Sequence, residues 1–203
     1  MNKFLSSKGA KVVVFLLGLV PFGALLWWVY KLDLTANPQE FITHYTGDWT
    51  LRGLLITLTV TPLRVIFNRP AITRFRRMLG LFTFFYAVLH LLTWLVFVNN
   101  FDVQAMWEDV AMRLYITVGM AGFLAMLPLA VTSTSGWVRR LGFQRWQKLH
   151  RLIYVAGIAG VLHYLWLVKS DIRLPLLYGA ILAALLGFRI VVKMRKSKAV
   201  SAR

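Results

Sequence analysis

Apolar residues in this chain fall into six runs separated by polar, mostly basic, breaks. The runs cover roughly residues 12–30, 50–67, 78–98, 114–133, 152–168 and 175–192. Each is close to the ~20 residues an α-helix needs to cross a hydrocarbon core of ~30 Å. A backbone in lipid must satisfy its own polar groups, so runs of this kind are helices. The pattern predicts an all-α integral membrane bundle of six transmembrane helices, forming a single domain over 1–203. The first run follows a short basic stretch and has the look of a signal peptide. No small-x-small cleavage site follows it, and Trp27, Trp28 and Tyr30 form an interfacial anchor, so it is expected to be retained. No internal repeat, low-complexity tract or separate domain is visible.

Composition agrees with the pattern. Of the 203 residues, 59% are hydrophobic and 15% charged, and the mean hydropathy is +0.65. Soluble domains carry about 25% charge. A net charge of +17 could suggest nucleic acid, but that needs a basic face on a soluble fold. Here the cations sit between the apolar runs, so no nucleic-acid partner is expected. Nineteen of the 24 cations fall on one side of the predicted membrane: in the N-terminus, in the breaks after runs two and four, and in the tail. All seven acidic residues, Asp33, Glu40, Asp48, Asp102, Glu108, Asp109 and Asp171, fall on the other. The positive-inside rule then puts both termini in the cytoplasm. With no cysteine, disulfides, thiolate metal sites, iron–sulfur clusters and Cys-attached haem are excluded.

No Asp or Glu lies within a predicted span, which weakens a pump or transporter reading. The spans carry histidine instead. His90 lies in the third run, 13 residues beyond Arg77, and His163 in the fifth, 12 residues beyond Arg151. At 1.5 Å per residue these are ~20 and ~18 Å from the basic border, so both imidazoles are expected at one height. Two histidines level on two helices can hold a haem iron from both faces. His150 opens the fifth helix, ~20 Å lower and about 140° round from His163, so it belongs to a second, inner site. That site lacks an obvious partner ligand: Arg76 and Arg77 occupy the matching level on the third helix. His44 is expected on an outer surface loop. The aromatic residues Phe84, Phe85, Tyr86, Trp94, Tyr164 and Trp166 could pack on a macrocycle, though at helical spacing such residues more often form plain core or lipid face.

Six runs, a histidine in the third and WQKLHRLIY followed by LHYLW through the fifth resemble the ferric-reductase-like transmembrane domain. The closer resemblance is to the MsrQ (YedZ) family, the haem-binding membrane subunits of methionine sulfoxide reductase systems. It is carried by HYTG at 44–47, LLITLTVTPLR at 54–64, RRMLGL at 76–81 and LAVTSTSGWVRRLG at 129–142. The resemblance implies b-type haem, one or two per chain, with His90, His150 and His163 as iron ligands, and FMN as a further cofactor. It implies a bacterial inner-membrane protein passing electrons from the quinone pool or a cytosolic flavin reductase to a periplasmic molybdopterin-containing subunit, MsrP. That partner reduces methionine sulfoxide in oxidised periplasmic proteins. The flavin and nicotinamide domains of full ferric reductases have no counterpart here, so the donor is expected to be external. No glycine-rich phosphate loop is present, and no residue can be named for FMN.

The competing readings are a small-solute transporter and a scaffold without redox activity. The outer face, with its acidic residues and the HYTG segment on loops of roughly 15–20 residues, is the expected docking surface for the partner, since long loops commonly carry function.

Overall fold

The computed structural model describes residues 5 and 7–201, apart from the side chains at 196 and 198–201. Lys3 and Arg203, and the side chains of Lys196 and Lys198, all counted above among the cations, lie outside the described residues. Among those described there is helix and no strand. All six apolar runs are helical.

Helix α1 spans Lys8–Lys31, capped by the Ser7 side chain. Helix α2 spans Pro38–Ile66, with Asn37 as its cap and Pro38 in its first turn. A 3₁₀ turn, Pro70–Phe75, leads into α3, Arg76–Thr93, which runs on through one π turn, Trp94–Val98. A short helix α4, Val103–Met112, is followed by α5, Leu114–Val131. Two short helices, α6 (Ser135–Leu141) and α7 (Phe143–Leu149), precede α8, Leu152–Leu167, and α9 runs from Arg173 to Ser201.

Five stretches are long and apolar enough to cross a membrane: Lys8–Lys31, Pro38–Ile66, Pro70–Val98, Leu114–Val131 and Arg173–Arg195. The remaining predicted span, α8, is apolar but has 16 residues, a rise of about 24 Å against a core of about 30 Å.

The expected loops are mostly helix. Apolarity alone starts the second span at residue 50, yet α2 begins at Pro38. Proline loses nothing at a helix start, where its missing N–H has no partner anyway, and the Asn37 side chain accepts from the Glu40 N–H. His44, expected on a loop, is therefore an exposed residue of α2. Asp48 also moves into this helix, where it pairs with Arg52 one turn on, at 3.1 Å.

Packing joins α2 to α3 and α5 to α8, and the two pairs meet around Leu51, Leu54, Leu58, Ala87, Met126 and Ala156. Small residues allow the close approach. Gly53 of α2 lies against Thr83, whose hydroxyl a Cβ there would meet at 2.7 Å. Gly122 of α5 lies against Ala159 of α8. Buried and half-buried hydroxyls are satisfied locally: Thr46, Thr50, Thr59, Thr83 and Thr132 each donate to the carbonyl four residues back.

Prolines in the helices draw in partners from other helices. Pro21 interrupts α1, and the Tyr86 hydroxyl of α3 enters the ladder there, donating to Gly18 O at 2.7 Å and accepting from Phe22 N at 3.1 Å. Pro62 has no N–H for the carbonyl of Leu58. The Arg189 guanidinium of α9 donates to that carbonyl instead, and to Leu185 O at 2.8 Å, with its face over Tyr154.

Candidate haem site

His90 on α3 and His163 on α8 meet in a T-shaped contact across the seam between the two helix pairs. Their ring centres are 6.0 Å apart, with the ring planes at 77°. Matched depth was legible in the sequence; this opposition needed the packing.

Each ring is anchored through Nδ1. His90 Nδ1 lies 3.0 Å from the Thr43 carbonyl of α2, and His163 Nδ1 lies 2.7 Å from the Tyr115 carbonyl of α5. A carbonyl only accepts, so both Nδ1 atoms carry the proton and both Nε2 atoms keep the lone pair a metal needs. Each carbonyl belongs to the helix already paired with that histidine's own.

Beside each carbonyl is a glycine. A Cβ on Gly47 would come within 3.0 Å of His90 Cε1 and 3.1 Å of its Nδ1. A Cβ on Gly119 would come within 2.6 Å of His163 Nδ1. The rings occupy space that any other residue would fill.

This arrangement fits a haem. A metal–imidazole bond of about 2 Å, with the ring centre about 1 Å further, separates two opposed ring centres by about 6 Å. An ion held by side chains alone wants three or four donors, and no cluster of three His, Asp or Glu forms among the described residues. Iron in a macrocycle brings four equatorial nitrogens and asks the protein for two axial ones.

His150 is placed differently. It ends α7, and its ring lies 4.0 Å from the Trp146 ring at 32°. Its Nε2 is 3.2 Å from Thr132 Oγ1. That hydroxyl has one hydrogen and gives it to Pro128 O at 2.6 Å, so His150 is the donor and its lone pair sits on Nδ1. Burial, and then the positive charge of Arg76, hold its pKa below the ordinary histidine value. The three histidines thus divide, His90 and His163 presenting Nε2 and His150 presenting Nδ1.

The aromatic residues considered for a macrocycle make helix contacts. Phe84 stacks on Phe123, Phe85 meets Phe22 edge-on, and Tyr164 packs on Tyr178. Trp94 donates to Asp109, and Trp166 is exposed. The residues that sequence reasoning missed are Thr43, Gly47, Tyr115, Gly119 and Thr132. Gly47 closes the HYTG motif, which marked the place without its role; the carbonyls of Thr43 and Tyr115 leave no trace in residue type.

Residues 46–161 match the family of the ferric reductase like transmembrane component. Relatives match over most of the chain. One from Herminiimonas arsenicoxydans is 50% identical over 89% of this chain and 84% of its own length. One from Ralstonia nicotianae is 49% identical over 91% and 86%, and one from Bordetella pertussis 46% identical over 92% and 91%. Each is named the heme-binding subunit MsrQ of protein-methionine-sulfoxide reductase. The chain belongs to the MsrQ family.

Proposed function

We propose that this protein is the haem b-binding electron-transfer subunit of a protein-methionine-sulfoxide reductase system in the bacterial inner membrane. It crosses the membrane six times with both termini in the cytoplasm. The short α8 is accommodated by Arg151 and Lys169 at its two ends, whose long side chains reach the interfaces. Electrons enter from the quinone pool or a cytosolic flavin reductase and leave to a periplasmic molybdopterin subunit, MsrP, where methionine sulfoxide is reduced.

The observation that carries this reading is the opposed pair His90 and His163, 6.0 Å apart. When bound, haem supplies reversible one-electron iron chemistry. The chain does the rest. His90 and His163 offer Nε2 from two helices, and the carbonyls of Thr43 and Tyr115 fix those tautomers and raise ligand basicity. Apolar helix walls exclude water. His150, near the inner arginines, serves a second site through Nδ1. FMN, which the family resemblance implies, is assigned to no residue, and no step runs through it. A transporter would want an unpaired buried carboxylate, whereas Asp48 is tied to Arg52.

The test is an absorption spectrum of the purified protein. We expect a Soret band and a reducible α band of low-spin haem, lost at the outer site in His90→Ala and His163→Ala while both variants still reach the membrane. Unaltered low-spin haem in both variants would sink the assignment.

A further inference from the structure

We infer that Gly47 and Gly119 are paired positioning residues, whose missing side chains let the two opposed imidazoles reach the Thr43 and Tyr115 carbonyls and settle in their ring planes. The inference rests on the proposed axial roles of His90 and His163, and goes beyond them to what sets their orientation.

The helices of this protein show what belongs beside a helical carbonyl. Thr46, Thr50, Thr59, Thr83 and Thr132 each place a hydroxyl on the carbonyl four residues back. The side chain at position n+4 therefore flanks the carbonyl of n. The carbonyls that hold the histidines are those of Thr43 and Tyr115, and the residues four further on are Gly47 and Gly119. In both cases the n+4 position carries no side chain, and an imidazole from the neighbouring helix takes the place a Cβ would fill, although the Thr43 carbonyl also lies 3.0 Å from the Thr46 hydroxyl. The same device occurs twice, once in each helix pair.

Two consequences follow for iron held between the rings. Each Nδ1–H···O=C bond makes its imidazole a stronger donor through Nε2, which favours the oxidised metal. The glycines also let each ring settle in a set plane, and the two planes cross at 77°. Crossed axial imidazoles donate about equally to the two π-type d orbitals of iron. Those orbitals then stay nearly degenerate, and the low-spin ferric state gives an EPR spectrum dominated by one low-field feature. Parallel rings give a rhombic spectrum instead.

The experiment compares full-length, haem-loaded protein in detergent with Gly47→Ala, Gly119→Ala and Gly122→Ala, by EPR and by redox titration. Gly122 packs α5 on α8, with a built Cβ 3.2 Å from that of Ala159, and touches neither histidine. The parent should show the low-field feature. Gly119→Ala should lose it or convert it to a rhombic signal, and its midpoint potential should rise. Gly47→Ala, with the looser contact, should shift both in the same direction by less. Gly122→Ala should lower thermal stability and leave spectrum and potential as in the parent. A glycine variant that reaches the membrane without low-spin haem, while Gly122→Ala loads normally, also supports the inference. If Gly119→Ala does not accumulate, Gly47→Ala decides. Parental spectra and potentials in the histidine-flanking variants would overturn the inference and leave the haem assignment standing, as would equal shifts in Gly122→Ala. A parent without low-spin haem would overturn the proposed function, and this inference with it.

Discussion

At the scale of single residues, the protein's three candidate ligands are distinguished by hydrogen bonds to neighbours of no special chemistry. His150 is the instructive case. Its Nε2–H rests on Thr132, whose hydroxyl is already committed to Pro128 O, and Trp146 covers its ring while donating to Thr132 O at 3.0 Å. Removing the hydroxyl with Thr132→Val should free the ring to turn. We expect Thr132→Val and His150→Ala to slow haem reduction from the cytoplasmic side to similar extents and to leave the outer haem spectrum unchanged. Stopped-flow reduction of protein in vesicles measures this. Parental kinetics in both would make His150 an interfacial packing residue. The histidines and their depth could be read from sequence because imidazole in an apolar run is conspicuous. Their tautomers could not, because the groups that set them are main-chain carbonyls.

At the scale of elements, prolines account for contacts that residue chemistry alone would not suggest. Arg189 lies in an apolar helix with no described carboxylate bonded to it; its partners are the carbonyls of Leu58 and Leu185 and the ring of Tyr154. The cause is Pro62, which leaves Leu58 O without its helical donor. Arg189→Leu should therefore destabilise the protein by about 1–3 kcal/mol, the cost of an unsatisfied buried acceptor. Pro62→Ala restores an N–H at that position, so the double variant should recover about 1 kcal/mol of the loss. Thermal or denaturant unfolding in detergent gives the four stabilities of the cycle. Strict additivity would mean that the arginine acts elsewhere. Hydropathy found every long helix but misjudged where α2 begins, because capping by Asn37 and Pro38 extends a helix through residues too polar to register as a span. Hydropathy also gives no helix length finer than a few residues, so it did not reveal that the regular part of α8 is only 16 residues long.

At the scale of the whole molecule, the proposed topology sorts charge to opposite ends. The acidic end is not uniform. Asp109 is mostly covered: it pairs with Arg113 at 3.1 Å and accepts from Trp94 and Asn99, tying α4 to both ends of the π turn. Asp102 caps α4 through the N–H groups of Gln104 and Ala105. These two carboxylates serve the fold. Asp33, Glu40 and Glu108 are exposed, the two glutamates making only local bonds to Asn37 and Gln104, and these three would face the proposed partner. Neutralising them as Asp33→Asn, Glu40→Gln and Glu108→Gln should slow electron transfer to the periplasmic subunit at low salt, with little effect at high salt, where exposed charges are screened over ~8 Å or less. Stopped-flow oxidation of reduced haem by the partner across a salt series checks it. Equal rates at every ionic strength would remove this surface from consideration.

Each histidine finds its carbonyl inside its own helix pair, and only the proposed iron position lies between the pairs. Chain order gives this arrangement a consequence for biosynthesis. The ribosome delivers α2 and α3 first, with His90 already able to settle against Thr43, and α5 and α8 later, with His163 against Tyr115. Two half-sites can thus mature separately as the chain enters the membrane, with no cofactor to guide either. On the proposed site, haem would be needed last, when the halves come together, and would join them as a rivet joins two finished plates.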